Sequence, residues 1–492
     1  MITATSWSEI LLWLHLMATL ICALRVLYFQ KKTGVALAWL VVLILTPVVG
    51  VVAYFLVGET RLGRARLRRK QELTQFYQDF SREYVAHGLP RAVLPSPWQS
   101  ISDIASHATG FTVNSGHQCQ FLNQTDAILA AMVVDIHQAQ RTVVLMFYII
   151  EPKGQVAHVL EAVLSARERG VHCEIMADGL GSASFFKSAW YERLRQAGVL
   201  LHQSLPVGLL KTLLVRSDLR NHRKMLVVDE HVAYTGSYNL VDSQVFKQSS
   251  DVGQWVDMVV RVEGAVVLHL LAMFYADVAV ERQQDLLQVQ NWWRNRGDFV
   301  QLATQRLRKT GSLIQLIPSA PDQSHTVFYD VLIAALYQAQ HNIVISTPYF
   351  VPDDALLLAL TTAARRKVSV FLIVPAKVDS FLVRHASLAY FRELLDSGVH
   401  IAQFQDGLLH TKSVVIDESV AFFGTVNMDM RSFYLNLELT LALYSVADIR
   451  VLAAQQQHYL QDSILVDAQA WKHRSVPSRL LENVVRLLGP LL

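Results

Sequence analysis

The strongest constraint on this chain is that it writes one pattern twice. N-H-R-K-M-L-V-V-D runs from Asn221 to Asp229 and is followed by T-G-S-Y-N from Thr235 to Asn239. H-T-K-S-V-V-I-D runs from His410 to Asp417 and is followed by G-T-V-N from Gly424 to Asn427. His, x, Lys, four residues, Asp, six residues, Gly, Ser or Thr, x, Asn keep the same spacing in both. The flanks repeat too. Ala139-Gln140 precedes the strand-like run Thr142 to Ile150, and Ala339-Gln340 precedes the run Asn342 to Val351. Val199 and Val399 close similar helical stretches, an offset of about 200 residues. Two domains of one kind are expected, 111–305 and 306–492, meeting near residues 300–312.

Each half alternates helix-like and strand-like segments. Val156, Val159, Leu160, Val163 and Leu164 give a helical face, and His172 to Ala177 and Val368 to Val374 read as buried strands. Gly198 and Gly398 fall where helix caps are expected. Alternating strands and helices imply an α/β fold with mostly parallel sheets. The natural arrangement is a pseudo-twofold pair of domains.

The N-terminus is different in kind. Ile10 to Phe29 and Gly34 to Val57 are apolar runs long enough to span a bilayer. They explain why only 17% of the 492 residues are charged and mean hydropathy is +0.28. Met1 to Ile10 carries no Lys or Arg, against a cleaved signal peptide. Residues 1–58 therefore read as a transmembrane hairpin, or a re-entrant one, since Pro47 and Gly50 allow a kink. Arg61, Arg64, Arg66, Arg68, Arg69 and Lys70 follow it, against Lys31 and Lys32 at its tip. That bias places the body on the cytoplasmic side of the membrane. Residues 59–110 read as a basic juxtamembrane connector. Trp292-Trp293 suits ordinary burial or a contact at the membrane interface. The apolar face Leu480, Leu481, Val484, Val485, Leu487 and Leu488 suits either an interfacial helix or docking on the protein itself.

In the repeated pattern, His222 and Lys224, like His410 and Lys412, are two apart and share one face of a strand. A turn brings back Val232 to Tyr234 and Val420 to Phe423, ending at the Gly-Ser/Thr-x-Asn segments. Imidazole, ammonium, hydroxyl and amide together suit a phosphate: one nucleophile or proton carrier and several donors. The candidate catalytic set is His222, Lys224, Asp229, His410, Lys412 and Asp417, with Ser237, Asn239, Thr425 and Asn427 as substrate-binding residues. Asp229 and Asp417 lie five residues past each Lys, an odd offset along the strand, so they read as turn and strand-end residues. Tyr148 and Tyr349 end matching strands and suit either the site or the core. No metal is expected: there is no H-E-x-x-H and no dense acidic cluster. No nucleotide loop or other cofactor signature is present. Cys22, Cys119 and Cys173 are too scattered for a disulfide framework.

H-x-K-x4-D followed by G-[ST]-x-N resembles the signature of the phospholipase D superfamily. The paired N-terminal apolar runs, T-P-Y-F-V-P at Thr347 to Pro352 and G-Q-W-V-D at Gly253 to Asp257 look like the bacterial cardiolipin synthases. Thr425 departs from the commoner Ser and keeps its hydroxyl. The resemblance implies two phospholipase D-like domains building one site, with His222 as nucleophile and His410 as acid/base, in an order less fixed than the pair. It implies that Asp257 and Glu438 orient the imidazoles, and that Lys224, Lys412, Asn239 and Asn427 hold the phosphate oxygens. The implied activity is phosphatidyl transfer between two phosphatidylglycerol molecules at the bacterial inner membrane. A hydrolase with water as acceptor, or a transferase using another phospholipid, would use the same residues. A net charge of +3 and the apolar anchor argue against a nucleic-acid substrate. Two complete motifs argue against a non-catalytic scaffold.

Overall fold

The computed structural model describes residues 4–29, 33–58, 72–73, 75–82, 92–206, 219–246, 252–282, 310–321, 326–487 and 489. The basic stretch 61–70, the hairpin tip 30–32, Trp292-Trp293, Leu488 and residues 300–309 of the domain boundary lie outside the described residues. The N-terminal segment and the body are separate compact units.

In the N-terminal unit the first apolar run forms one helix, Ala4–Phe29, whose stretch Trp7–Phe29 is long and apolar enough to cross a membrane. The second run is broken. Helix Thr33–Leu45 stops, and Pro47–Ala53 starts anew before a wider turn at Tyr54–Gly58. Proline has no N–H to continue the helical ladder. Just before the break, the Val42 carbonyl accepts both the Thr46 N–H at 2.9 Å and the Thr46 hydroxyl at 2.7 Å. The 13-residue piece Thr33–Leu45 is roughly 20 Å long, short of the ~30 Å apolar core of a bilayer. Cys22 and Val26 pack with Leu43 and Tyr54.

In the first half of the body the strands are β1 (Asn114–Leu122), β2 (Thr142–Phe147), β3 (His172–Asp178), β4 (Leu200–Ser204), β5 (Met225–Val228), β6 (Val232–Gly236), β7 (Trp255–Val256) and β8 (Val259–Glu263). In the second they are β9 (Ser312–Ser319), β10 (Asn342–Ser346), β11 (Phe350–Val351), β12 (Ser369–Pro375), β13 (His400–Phe404), β14 (Leu408–Leu409), β15 (Ser413–Ile416), β16 (Val420–Gly424), β17 (Met428–Asp429), β18 (Glu438–Leu443) and β19 (Ser463–Leu465). Among the described residues, 15 strands form one sheet. The first half runs β4-β3-β2-β5-β6-β8-β1 from its outer edge. The second repeats that order as β13-β12-β10-β15-β16-β18-β9, with β19 added at the rim. Strands β1 and β9 join the halves in antiparallel pairing.

The mostly parallel sheet expected from the alternation is corrected here. Only β2-β3-β4 and β10-β12-β13 are parallel in this sheet. The rest is antiparallel, and where a short turn joins two strands into a hairpin no other pairing is possible. Those hairpins, β5-β6 and β15-β16, are the returns expected after each motif. Helices Val156–Glu168 and Val327–Gln338 cover the sheet with buried faces. Part of the expected connector belongs to the core: helix Trp98–Thr109 buries Trp98, Ile101 and Ala105 among residues of the second half. Phe76, Tyr77 and Phe80 pack with the buried helix Val266–Arg282.

Candidate active site

The His and Lys of each motif lie just before the hairpin strand rather than in it, since β5 starts at Met225 and β15 at Ser413. Their backbone is held by the opposite half. The His222 N–H donates to the Leu437 carbonyl at 2.9 Å, and the His410 N–H donates to the Val256 carbonyl at 2.8 Å. Strands β14 and β7 add a short parallel ladder, Leu408 to Trp255 and Leu409 to Val256. Extended backbone alternates its side chains. Arg223 therefore points away from its neighbours and is buried, paired with Asp277 and donating to the carbonyls of Glu438 and Ser319.

This crossing brings each imidazole to a carboxylate of the other half. His222 Nδ1 lies 2.9 and 3.0 Å from the two oxygens of Glu438, which begins β18. His410 Nδ1 lies 2.6 Å from Asp257, between β7 and β8. A carboxylate accepts, so each Nδ1 donates and Nε2 is the nitrogen presented for chemistry. Both rings line one cavity of about 320 Å³, together with Tyr148, Trp255, Asn239 and Asn427. Tyr148 sits edge-on to His222 at 5.0 Å, and Trp255 lies against His410 at 4.4 Å.

Burial dominates the electrostatics. It lowers both imidazoles to about 4, against the pull of Glu438 and Asp257, so both rings are neutral at pH 7. Burial also lowers Lys224 to about 8 and Lys412 to about 7. Their ammonium groups donate to the carbonyls of their own histidines, at 2.7 Å for Lys224 and 2.6 Å for Lys412. Burial by itself would raise Asp257 and Glu438. The facing histidine and the nearby lysines outweigh it and hold both carboxyls below their ordinary value.

The hydroxyls of Ser237 and Thr425 do not face the cavity as phosphate ligands. The first donates to Asp257 at 2.5 Å and the second to Glu438 at 2.5 Å. Each half thus builds a hydroxyl–carboxylate cradle for the other half's imidazole. Gly236 makes the approach feasible: its φ is +152°, and a Cβ there would lie 2.3 Å from the Met258 carbonyl. Asn239 accepts from the Ile149 N–H at 3.3 Å while lining the cavity. Asp229 and Asp417, named in the catalytic set, lie at the far end of each strand, where they receive backbone N–H groups. Asp229 accepts from Gln140, Arg141 and Thr142 at 2.8 to 3.0 Å. Asp417 accepts from Gln340, His341 and Asn342 at 2.7 to 2.8 Å. Both take left-handed backbone at the turn, with φ of 49° and 52°. They fasten the hairpin to the start of β2 or β10 and do not touch the imidazoles.

Sequence reasoning missed Arg220, Arg431, Asp429 and Asn436, which also line the cavity. Asn436 donates to Glu438 at 3.2 Å. Asp429, fully buried, is raised to about 6. Each stands two to four residues from a motif or carboxylate already singled out, and that proximity was the available signal. Among the described residues no cluster of His, Cys, Asp and Glu suits a metal ion.

Two buried His–Lys pairs whose histidines line one cavity, each ring fixed by a carboxylate, define a two-motif phosphodiester-transfer site of the phospholipase D kind. The family described as cardiolipin synthase, phospholipase D-like domain, matches residues 132–267 and 332–461, and a phospholipase D-nuclease N-terminal family matches residues 17–59. Cardiolipin synthase A of Erwinia tasmaniensis is 38% identical over 95% of both chains. That of Escherichia coli is 37% identical over 100% of this chain and 99% of its own. The fold is shared with the phosphatidylserine synthase of Haemophilus influenzae, at a TM-score of 0.57 and 14% identity, over 84% of this chain and all of that one. The chain belongs to the cardiolipin synthase family, phosphatidyltransferases of the phospholipase D superfamily.

Proposed function

We propose that this enzyme makes cardiolipin from two phosphatidylglycerol molecules through a phosphatidyl-histidine on His222. The carrying observation is that His222 and His410 line one cavity with Nδ1 of each committed to a carboxylate. In the first step Nε2 of His222 attacks phosphorus and the bond to the glycerol oxygen breaks. His410 delivers a proton to that oxygen. Entry of the anionic phosphodiester favours the imidazolium that this step needs. In the second step the hydroxyl of another phosphatidylglycerol attacks phosphorus, His410 takes its proton, and the bond to His222 breaks. Lys224, Lys412 and Asn427 stabilise the charge on the non-bridging oxygens. Ser237 and Thr425 act by holding the carboxylates.

The same reading takes the halves as a pseudo-twofold pair, which the repeated strand order supports. It takes residues 1–58 as a membrane hairpin, 59–110 as a connector whose helix Trp98–Thr109 is part of the core of the body, and 111–305 and 306–492 as the two catalytic domains. The packing of Cys22 and Val26 with Leu43 supports the hairpin. The body then sits on the cytoplasmic side of the bacterial inner membrane. Purified protein given phosphatidylglycerol alone should release glycerol and form cardiolipin. Phosphatidic acid without cardiolipin would mark a hydrolase instead.

A further inference from the structure

Helix Val476–Arg486 docks on the body through Val485 and leaves a second apolar face outside. Val476, Leu480 and Val484, with Leu487 just past its end, lie within one narrow sector, at helical spacing, opposite Val485. They are 72%, 64%, 53% and 79% exposed. A soluble surface does not usually concentrate large apolar side chains this way. The helix is tied to the site. Arg486 stacks over Tyr390 at 4.4 Å on helix Phe381–Ser397, whose residue Val383 lines the catalytic cavity. Beside Val383, Phe381 and Leu382 are also exposed, at 62% and 40%.

We infer that this outward face, with Phe381 and Leu382, seats on the surface of an anionic phospholipid bilayer and presents the cavity to lipid. The inference rests on the phosphatidyl-transfer reading. Charge supports a bilayer over a protein partner: Arg479 and Arg384 are exposed beside the apolar face. The one acid of the helix, Glu482, is turned inward and paired with Arg474. Size supports it too. A cavity of about 320 Å³ is at the small end of ligand pockets and suits the headgroup and phosphate, leaving acyl chains outside. Apolar side chains at the entrance would shelter those chains.

The test uses the full-length chain in vesicles of phosphatidylglycerol and phosphatidylethanolamine with brominated acyl chains. A fluorophore is placed through Leu480→Cys, Leu487→Cys or, as a control, Val134→Cys, an exposed position in the first half. Labels at 480 and 487 should be quenched about threefold and the control hardly at all, because an interfacial helix sinks ~5–10 Å into the headgroup boundary. Equal quenching at all three sites overturns the inference. So does shielding at 480 that grows with protein concentration and ignores bromine, which would mark a second copy of the chain. As a second readout, the variant Leu480→Gln/Val484→Gln/Leu487→Gln should lose about tenfold in turnover of bilayer phosphatidylglycerol and little with dispersed short-chain lipid. Equal loss on both substrates overturns the inference. If the parent chain turned over neither lipid, the functional reading would fail, while the quenching would still report bilayer seating.

Discussion

The two halves of the body use the same parts for their histidines, yet the two rings are not held alike. His222 faces both oxygens of Glu438, which also receives Thr425 and Asn436. His410 faces one oxygen of Asp257, which also receives Ser237. His222 meets the edge of a tyrosine, whereas His410 lies against a tryptophan. The repeat thus supplied two imidazole–carboxylate units with different cradles, and the proposed mechanism gives one the part of nucleophile and the other that of proton carrier. The crossing of carboxylates also means that neither half is complete alone. The site exists only where β7 meets β14 and where Asn221 bridges to Leu437.

The largest effect is expected at the rings. Replacing His222 or His410 by Ala should each cost about 10³-fold or more in cardiolipin formation. A donor with an activated leaving group separates them: His410→Ala should still form the covalent adduct, and His222→Ala should form none. Equal behaviour of the two variants would mean that the two rings do not divide the roles of nucleophile and proton carrier.

Next come the carboxylates. Glu438→Gln and Asp257→Asn should each lower kcat by about 100-fold, since they fix the tautomer of a ring in the opposite half. In each case the loss should track the histidine across the interface, so Glu438→Gln should mimic impairment of His222. If Glu438→Gln affected only the proton transfers of His410, the crossed pairing would be wrong.

The pH profile tests both halves together. The neutral imidazoles are lost on acidification through about 4, and the ammonium of Lys412 is lost as pH rises through about 7, before that of Lys224 at about 8. Attack needs a neutral His222 and charged lysines, so activity should fall below about 4 and above about 7, with Lys412 setting the alkaline limb, while the His410 imidazolium forms as the phosphodiester binds. An alkaline limb unmoved in Lys412→Arg, measured as kcat/KM against pH, would contradict that assignment.

Smaller effects separate cradle from scaffold. Ser237→Ala and Thr425→Val each remove one hydrogen bond to a buried carboxylate, a loss of about tenfold in rate, and Thr425→Ser should be close to neutral. Asp229→Asn and Asp417→Asn should leave kcat nearly unchanged but lower thermal stability by about 1–2 kcal/mol, read as a shift in Tm, because each ties backbone N–H groups at a strand start.

The motifs were legible because their chemistry is local: His, Lys and the Gly-Ser/Thr-x-Asn return fall within a short stretch, and repetition at fixed spacing separates them from decoration. The hairpin returns were legible for the same reason. The antiparallel majority of the sheet was hidden because strand–helix alternation produces parallel neighbours only in β2-β3-β4 and β10-β12-β13, and the hairpin strands of each motif follow one another without such helices. The connector was misjudged because its polar residues outnumber Trp98, Ile101 and Ala105, whose spacing marks a buried helical face. The crossing of Glu438 to His222 and Asp257 to His410 depends on contacts between distant parts of the chain. No local pattern encodes those, and the same holds for Arg220 and Arg431 in the cavity wall.

The proposed mechanism requires a covalent phosphatidyl group on one particular ring. Acid-labile, base-stable adducts should be trapped by quenching a reaction with phosphatidylglycerol labelled separately in its acyl chains and headgroup, then mapped by mass spectrometry. The expected result is an adduct on His222 that keeps the acyl label and has lost the headgroup label. The same adduct on His410, or turnover with no adduct on either ring, would contradict it.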